Sequence, residues 1–195
     1  YLKCIQGIIV TAPKDGNELR HLLYTALDYT KGPFSIRYPK TSSENFDEKG
    51  QAELLPIGSW EVCRKSTGNT VILAVGAQVF DGIDAAKNLS KKGIECEVVN
   101  CRFIKPMDKD YLQSILERFD NVITIEEGVK TGGFGESVAA WLATNGYKGS
   151  VKIISLPDEF VEHGPRDLLL EKWGVDQKGI EDIVLNQNES IKLQY

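Results

Sequence analysis

Methionine is almost missing from this chain of 195 residues. Met107 is the only one, and the first residue is a tyrosine. Because translation starts at methionine, we expect that a further segment precedes Tyr1 and that the chain is one portion of a larger protein. Any site formed by these residues is therefore expected to be part of a larger site.

Other features that the sequence lacks exclude several classes of protein. No apolar run is long enough to span a bilayer, and the first residues do not have the pattern of a signal peptide. The four cysteines form no C-x-x-C pair and there are only two histidines, which argues against a structural zinc site and for reduced thiols in the cytoplasm. A net charge of −5 without a basic stripe argues against nucleic-acid binding.

The residues that are present are those of a globular α/β protein. Hydrophobic residues make up 42% of the chain and charged residues 26%, so a core of useful size can form. Short apolar runs alternate with amphipathic segments, which predicts a mainly parallel sheet with helices on both faces. The predicted strands are 8–10, 34–38, 60–64, 70–75, 96–100, 122–125 and 151–156. The predicted helices begin near Asp15 or Asn17 and at about 80, 108, 135, 167 and 179.

The first predicted helix has five apolar residues that would share one face. They are Leu19, Leu22, Leu23, Ala26 and Leu27. His21 falls on the polar side of this helix, so we expect it to be solvated. After the second strand the apolar content falls sharply, as in a linker between domains.

Ligands of open parallel sheets bind where strands end and helices begin. In this chain those positions are Gly76–Gln78, Arg102–Phe103, Glu126–Gly128 and Pro157–Asp158. They include no pair of nucleophile and base, so we assign no catalytic residue. His163, in a later loop, is expected to be a hydrogen-bonded structural residue.

A glycine-rich loop follows the strand that ends at Glu126 and Glu127. Gly132, Gly133 and Gly135 would let the backbone approach a partner, and the next helix could hold an anion at its N-terminus. The G-x-G-x-x-G spacing is not met, however, and two carboxylates would repel a pyrophosphate. We therefore expect a structural turn, or packing against another subunit, with one glutamate capping the turn and the other meeting an arginine or lysine.

Several runs of residues, taken together and in order, resemble the 1-deoxy-D-xylulose-5-phosphate synthase family of transketolase-like enzymes. They are Ala12-Pro-Lys-Asp15, Gly32-Pro-Phe-Ser-Ile-Arg-Tyr-Pro-Lys40, Leu55-Pro-Ile-Gly58, Arg102-Phe-Ile-Lys-Pro-Met-Asp108, Gly132-Gly-Phe-Gly135 and Leu156-Pro-Asp-Glu-Phe-Val-Glu-His-Gly164. The resemblance implies an enzyme that condenses pyruvate with glyceraldehyde 3-phosphate and releases carbon dioxide. The product of that reaction feeds isoprenoid, thiamine and pyridoxal synthesis.

The resemblance also implies how the chain is organised. Residues 1–40 would be the last β-α-β piece of a pyrimidine-binding domain, 41–56 a linker, and 57–195 a transketolase C-terminal domain. The family needs thiamine diphosphate and Mg²⁺, whose ligands would lie before Tyr1, so we expect no cofactor-binding or metal-binding residue here and no activity of the chain alone. The expected partners are the upstream domains of the same protein and a second copy in a homodimer.

One contact to substrate is implied within the chain. The family pattern R-Y-P-R uses its second arginine to hold the phosphate of the aldehyde substrate, and Lys40 stands at that position. Lysine keeps the positive charge but loses the bidentate fork of arginine. Arg37 matches the first arginine and is expected to support this edge of the structure.

Two other readings remain open. One is the equivalent portion of a transketolase or of a 2-oxo-acid dehydrogenase E1 β subunit, which share the fold. The other is a non-catalytic α/β module that docks on a partner or binds a nucleotide, for which the glycine-rich loop is the only support.

Overall fold

The computed structural model describes residues 1–40 and 46–192, with side chains described up to residue 187. Its strands are β1 (Ile9–Thr11), β2 (Phe34–Ile36), β3 (Glu61–Arg64), β4 (Thr70–Ala74), β5 (Cys96–Asn100), β6 (Phe103–Lys105), β7 (Asn121–Val129) and β8 (Ser150–Leu156). Its helices are α1 (Gly16–Asp28), α2 (Gln78–Ser90), α3 (Lys109–Arg118), α4 (Phe134–Thr144), α5 (Arg166–Trp173) and α6 (Gln177–Lys192).

The main sheet has five strands in the order β3-β5-β4-β7-β8. Its last four strands are parallel to one another, while β3 pairs antiparallel with β5 at one edge. Every residue of β4 and β5 is buried, as expected for strands that are covered on both faces. The predicted α/β class and the mainly parallel sheet are confirmed.

Two apolar cores lie on opposite faces of this sheet. Successive residues of a strand point to opposite sides, so Leu73 joins the core under α3 and α4, and its neighbour Ile72 joins the core under α2 and α6. Leu112 of α3 and Leu142 of α4 belong to the first core. Leu89 of α2 and Ile180 of α6 belong to the second. The helices therefore cover both faces of the main sheet.

A second, smaller sheet joins the beginning of the chain to the main body. Its order is β2-β1-β6, with β1 parallel to β2 and antiparallel to β6. The strand β6 was not predicted, because three residues after a strand end are too few to show an alternating pattern. Its first residue, Phe103, is completely buried.

Helix α1 begins as predicted but buries a different face. Asp15 caps it by accepting a hydrogen bond from the N–H of Glu18, at 2.8 Å. The expected apolar face is wrong, since Leu23 and Leu27 are 50% and 85% exposed. The buried residues of α1 are Glu18, Leu22 and Thr25. The two polar residues can be buried because they accept hydrogen bonds inside the protein, Glu18 from Asn100 and Thr25 from Leu55.

The described part of the predicted linker, from residue 46 onward, lies along α1, whereas 41–45 fall outside the described residues. Arg20 donates a hydrogen bond to the carbonyl oxygen of Gly50 at 2.6 Å. The N–H of Glu53 donates to Nδ1 of His21 at 2.9 Å, and that of Leu55 to Oγ1 of Thr25 at 2.9 Å. His21 is therefore half-buried and paired, which corrects the expectation that it is solvated.

All four cysteines are free thiols. Cys96 and Cys101 are buried in the main body, and burial raises the pKa of the Cys96 thiol to about 12. Among the helices in the described ranges, none is both long and apolar enough to cross a bilayer.

Candidate functional site

A narrow cleft of about 70 Å³ lies at the carboxyl edge of the main sheet. It is lined by the turn Gly76–Gln78 between β4 and α2, by Glu127 of β7, and by Arg37–Pro39 after β2. Two of the four segments that sequence analysis selected thus meet here, together with Arg37. The other two, Arg102–Phe103 and Pro157–Asp158, are not part of its lining.

Arg37 connects the two sheets at this cleft. Its Nη2 donates a hydrogen bond to the main-chain oxygen of Glu127. Lys40 is exposed, does not line the cleft and makes no hydrogen bond or ion pair with another described residue. The two cations that were expected to act at one edge therefore have different surroundings.

The carboxylate of Glu127 is held by Arg166 at the start of α5. Nη2 of Arg166 lies 2.7 Å from Oε2 of Glu127, and Nε lies 3.2 Å from Oε1, which makes the pair bidentate. Burial alone would lower the pKa of Arg166, but the hydrogen bonds and charge of Glu127 outweigh burial and leave that pKa raised. The positive charge of Arg166 therefore offsets most of the negative charge of Glu127 beside the cleft.

Glu126 points the other way and closes the N-terminus of α4. Its side chain, 6% exposed, accepts hydrogen bonds from the N–H groups of Phe134 at 2.9 Å and Gly135 at 2.8 Å. The position where a bound phosphate would meet this helix is thus filled by the protein's own carboxylate. The predicted division of roles between the two glutamates is confirmed.

The glycine-rich loop is fixed by contacts within the chain. The N–H of Gly132 donates to Glu136 at 2.7 Å, and Nζ of Lys3 donates to the carbonyl oxygen of Gly133 at 2.6 Å. A Cβ added at Gly135 would lie 2.7 Å from Cγ2 of Ile153, so glycine is required there by close packing. These contacts support the structural turn and not a nucleotide loop.

His163 is exposed and forms no hydrogen bond with another of the described residues. The expectation that it is a hydrogen-bonded structural residue is therefore wrong. It lies in the loop between β8 and α5, and its imidazole makes no hydrogen bond to the described backbone of that loop.

A buried polar cluster, which we call the Glu18 cluster, was missed by the sequence analysis. Oε1 of Glu18 accepts from Nδ2 of Asn100 at 2.7 Å and lies 3.5 Å from Nη1 of Arg102. Lys14 lies between two carboxylates, 3.5 Å from Glu18 and 2.9 Å from Glu61. Burial alone would lower the pKa of Lys14, but these two glutamates outweigh burial and raise it.

The Glu18 cluster connects α1 to the ends of β5 and β3, far apart in the chain. The spacing Asp15-x-x-Glu18 resembles a capping box and could have marked Glu18 as a residue near a helix start. Nothing local indicates that its partners, Asn100 and Arg102, are more than eighty residues away in the sequence.

The family model for the transketolase C-terminal domain matches residues 58–180. Among curated relatives, the 1-deoxy-D-xylulose-5-phosphate synthase of Aquifex aeolicus (strain VF5) is 41% identical over 184 residues, which is 94% of this chain. The synthase 2 of Geobacter sulfurreducens is 40% identical over 181 residues, and the synthase of Pelotomaculum thermopropionicum 40% over 188. The chain spans 29% of the length of each of these relatives.

A solved structure with the same arrangement is described as "Split gene transketolase, inactive beta4 tetramer". It superposes on this chain with a TM-score of 0.76 and is 27% identical. The likeness covers 92% of this chain and 56% of that one.

Proposed function

The chain belongs to the transketolase C-terminal domain family, and we propose that it is part of a 1-deoxy-D-xylulose-5-phosphate synthase. The observation that carries this proposal is the 41% identity to the Aquifex synthase over 94% of the chain. The proposed reaction condenses pyruvate with glyceraldehyde 3-phosphate and releases carbon dioxide, in the bacterial cytoplasm.

The synthase is favoured over the two alternative readings. The transketolase structure is 27% identical, well below the 40% and 41% of the synthases over a similar share of the chain. A nucleotide-binding module is disfavoured because the carboxylate of Glu126 occupies the N-terminus of α4.

The described residues do not fit thiamine diphosphate with Mg²⁺. They contain no group of three His, Cys, Asp or Glu side chains that could hold a metal ion. The cleft at the carboxyl edge, of about 70 Å³, is itself too small for such a cofactor, since ordinary cofactor pockets have roughly 300 Å³ or more. Two larger grooves, of about 460 and 660 Å³, lie elsewhere, beside Thr25 and Ile57 and beside Trp173 and Lys178. We therefore assign cofactor binding and the chemical steps to other parts of the full enzyme.

In this proposal the chain contributes one substrate contact. Lys40 is exposed and unpaired among described residues, so its ammonium group is free to meet the phosphate of the aldehyde substrate. Arg37 acts indirectly, because its hydrogen bond to Glu127 holds the end of β2 against β7. Lysine can supply charge to a phosphate but not the paired, planar hydrogen bonds of arginine.

We propose that the chain alone is inactive and associates with copies of itself. The split-gene transketolase that it resembles is described as an inactive β4 tetramer, which supports both parts of this proposal. Sedimentation of the 195-residue chain and an assay for deoxyxylulose phosphate test these two points directly.

The test of the substrate contact uses the full enzyme with thiamine diphosphate and Mg²⁺. For Lys40→Ala we expect the KM for glyceraldehyde 3-phosphate to rise about tenfold or more, as for loss of a charged hydrogen bond, with little change in the KM for pyruvate. Lys40→Arg should keep or lower the KM for the aldehyde. Lys148→Ala, which removes an exposed lysine near the opposite edge of the main sheet, is the matched control.

The results of these assays distinguish the proposed substrate contact from the synthase assignment, and the synthase from a transketolase. An unchanged KM for the aldehyde in Lys40→Ala removes Lys40 from the substrate site but leaves the synthase assignment intact. If the full enzyme transfers two-carbon units from a ketose phosphate and makes no deoxyxylulose phosphate from pyruvate, the chain is part of a transketolase instead.

A further inference from the structure

Gln78, the first residue of α2, has a buried side-chain nitrogen without a partner among the described residues. The residue is 1% exposed, and its Nε2 meets no hydrogen-bond acceptor among the residues that the structure describes. A buried donor that lacks an acceptor destabilises a fold by roughly 1–3 kcal/mol. Since Gln78 also lines the cleft at the carboxyl edge, a rotation of its side-chain amide toward the cleft would let a ligand there supply the missing acceptor.

The same position is the N-terminus of a helix of 13 residues. The N-cap residue is Ala77, whose methyl group cannot accept a hydrogen bond, so no capping side chain meets the N–H groups of Ala77 and Gln78. The N–H groups of Val79 and Phe80 already bond to the carbonyl oxygens of Gly76 and Ala77, and Asp81 is the acidic residue of the first turn. Gly76 takes a left-handed conformation, with φ of +67°, and turns the chain from β4 directly into this helix. The unpaired amide nitrogen of Gln78 and the partial positive charge of the α2 N-terminus therefore lie together beside the cleft.

The charges around the cleft decide which anion fits. Arg37 adds a guanidinium group on one side, whose Nη2 donates to the main-chain oxygen of Glu127 and whose other nitrogens meet no acceptor among the described residues. The carboxylate of Glu127 on the other side is paired with Arg166, but it would still repel a doubly charged ligand more than a singly charged one. A volume of about 70 Å³ suits a group as small as a carboxylate.

We propose that this cleft binds the carboxylate group of a small monoanionic acid, through Gln78, the N-terminus of α2 and Arg37. This site goes beyond the proposed function, because the substrate contact proposed there is Lys40, which lies outside the cleft. The two proposals can fail independently.

The test is an NMR titration of the 195-residue chain with sodium acetate and sodium pyruvate, at ionic strength held constant with sodium chloride. We expect saturable shifts of the backbone amide signals of Gly76, Ala77 and Gln78 and of the side-chain amide of Gln78. Inorganic phosphate, the competing anion class, should give weaker and non-saturating shifts at the same concentrations.

The decisive variant is Gln78→Met, which keeps the shape of the side chain but removes the donor. Loss of a hydrogen bond to a charged group predicts a dissociation constant for acetate that rises about tenfold to hundredfold. The melting temperature should stay the same or rise, since the variant removes an unpaired buried donor. Gln113→Met, the same change at an exposed position of α3, should alter neither quantity.

Arg37→Gln is a second variant, and it should also weaken acetate binding because it removes the guanidinium charge beside the cleft. Because Arg37 also bonds to Glu127, its melting temperature is measured alongside to separate loss of the ligand contact from loss of structure. Equal binding by Gln78→Met and the unchanged chain overturns the proposal. Tighter saturation by phosphate than by acetate overturns the choice of carboxylate, and a melting temperature that falls in Gln78→Met shows that the amide already has a partner.

Discussion

At the scale of single residues, β7 carries two adjacent carboxylates near its end, Glu126 and Glu127, which the pleat of the strand directs to opposite sides. Glu126 meets two backbone N–H groups of α4, and Glu127 meets the guanidinium of Arg166. The sequence allowed this division to be predicted because neighbours on a strand alternate in direction. The partner Arg166 could not be identified, since it is 39 residues away and is set by the packing of α5.

Replacing Glu126 by glutamine tests its role at the helix start. Glutamine keeps one acceptor but turns an NH₂ group toward a backbone donor and removes the charge that complements α4. We expect the free energy of unfolding to fall by about 2 kcal/mol, measured by urea denaturation. Glu117→Gln, an exposed glutamate on α3, should change it by less than about 0.5 kcal/mol. Equal stability of the two variants would mean that water satisfies the α4 N–H groups as well as Glu126 does.

Asp81, on the first turn of α2, makes stability depend on pH. Burial raises the pKa of its carboxyl group from 3.8 to about 6, with the nearby charge of Asp176 adding to that rise. The folded state thus prefers the protonated form, so the stabilisation is complete below about pH 4 and is lost as the pH rises through 6.

The variant Asp81→Asn, which cannot ionise, should therefore gain stability relative to the unchanged chain as the pH rises from 4 to 7. After allowance for solvent screening at a partly exposed site, the gain at pH 7 is about 1 kcal/mol. Urea denaturation of both proteins at a series of pH values measures it. A difference that does not vary with pH would show that Asp81 titrates normally in the folded protein.

At the scale of elements, the packing of α4 against the main sheet depends on the absence of a side chain. Gly135 sits where a Cβ would meet Oγ1 of Thr124 and lie 2.7 Å from Cγ2 of Ile153. This close approach brings the first turn of α4 within hydrogen-bonding distance of Glu126. The glycine that looked like a feature of a nucleotide loop is explained by contact between a helix and a strand.

Gly135→Ala should accordingly destabilise the fold by about 1–3 kcal/mol, as overpacking of a core usually does. Gly164→Ala is the matched control, because a Cβ there would be 3.7 Å from Leu169, an ordinary contact. Thermal unfolding of both variants, followed by circular dichroism, gives the comparison. Similar melting temperatures for the two would show that α4 can shift away from the sheet without loss.

At the scale of the whole molecule, the sequence predicted what depends on local pattern and missed what depends on distant pairing. The strands of the main sheet were predicted correctly because apolar runs such as Thr70–Ala74 are long enough to be identified as buried strands from the sequence. The strand β6 and the Glu18 cluster were missed, since both exist only when residues near 10 to 18 meet residues near 100 to 105. For the same reason the sequence could place a cleft at the carboxyl edge of the sheet, but it could not show that Gln78 and Arg37 meet there.

These distant pairings also determine how the first forty residues are held to the rest of the protein. The connection includes the short β1–β6 pairing, the contacts of Lys3 and Arg37, the Glu18 cluster, and the burial of Ile9 and Leu22 in the core under α3 and α4. Removing Glu18 would take away the buried carboxylate that meets Asn100 and Arg102, although Asn100 would keep Glu61 and Arg102 would keep Ser59 as acceptors. Because breaking a buried ion pair from one side is strongly destabilising, this connection should weaken before the main sheet does.

For Glu18→Ala we therefore expect a loss of about 3 kcal/mol in the free energy that protects β1 from hydrogen exchange. The amides of β4, at the centre of the main sheet, should keep their protection, because their partners are β5 and β7. Glu159→Ala, at an exposed position, should leave both strands unchanged. Faster exchange of β1 and β4 by the same factor would contradict this prediction, since it would mean that the two sheets open only together and that the Glu18 cluster stabilises the whole fold.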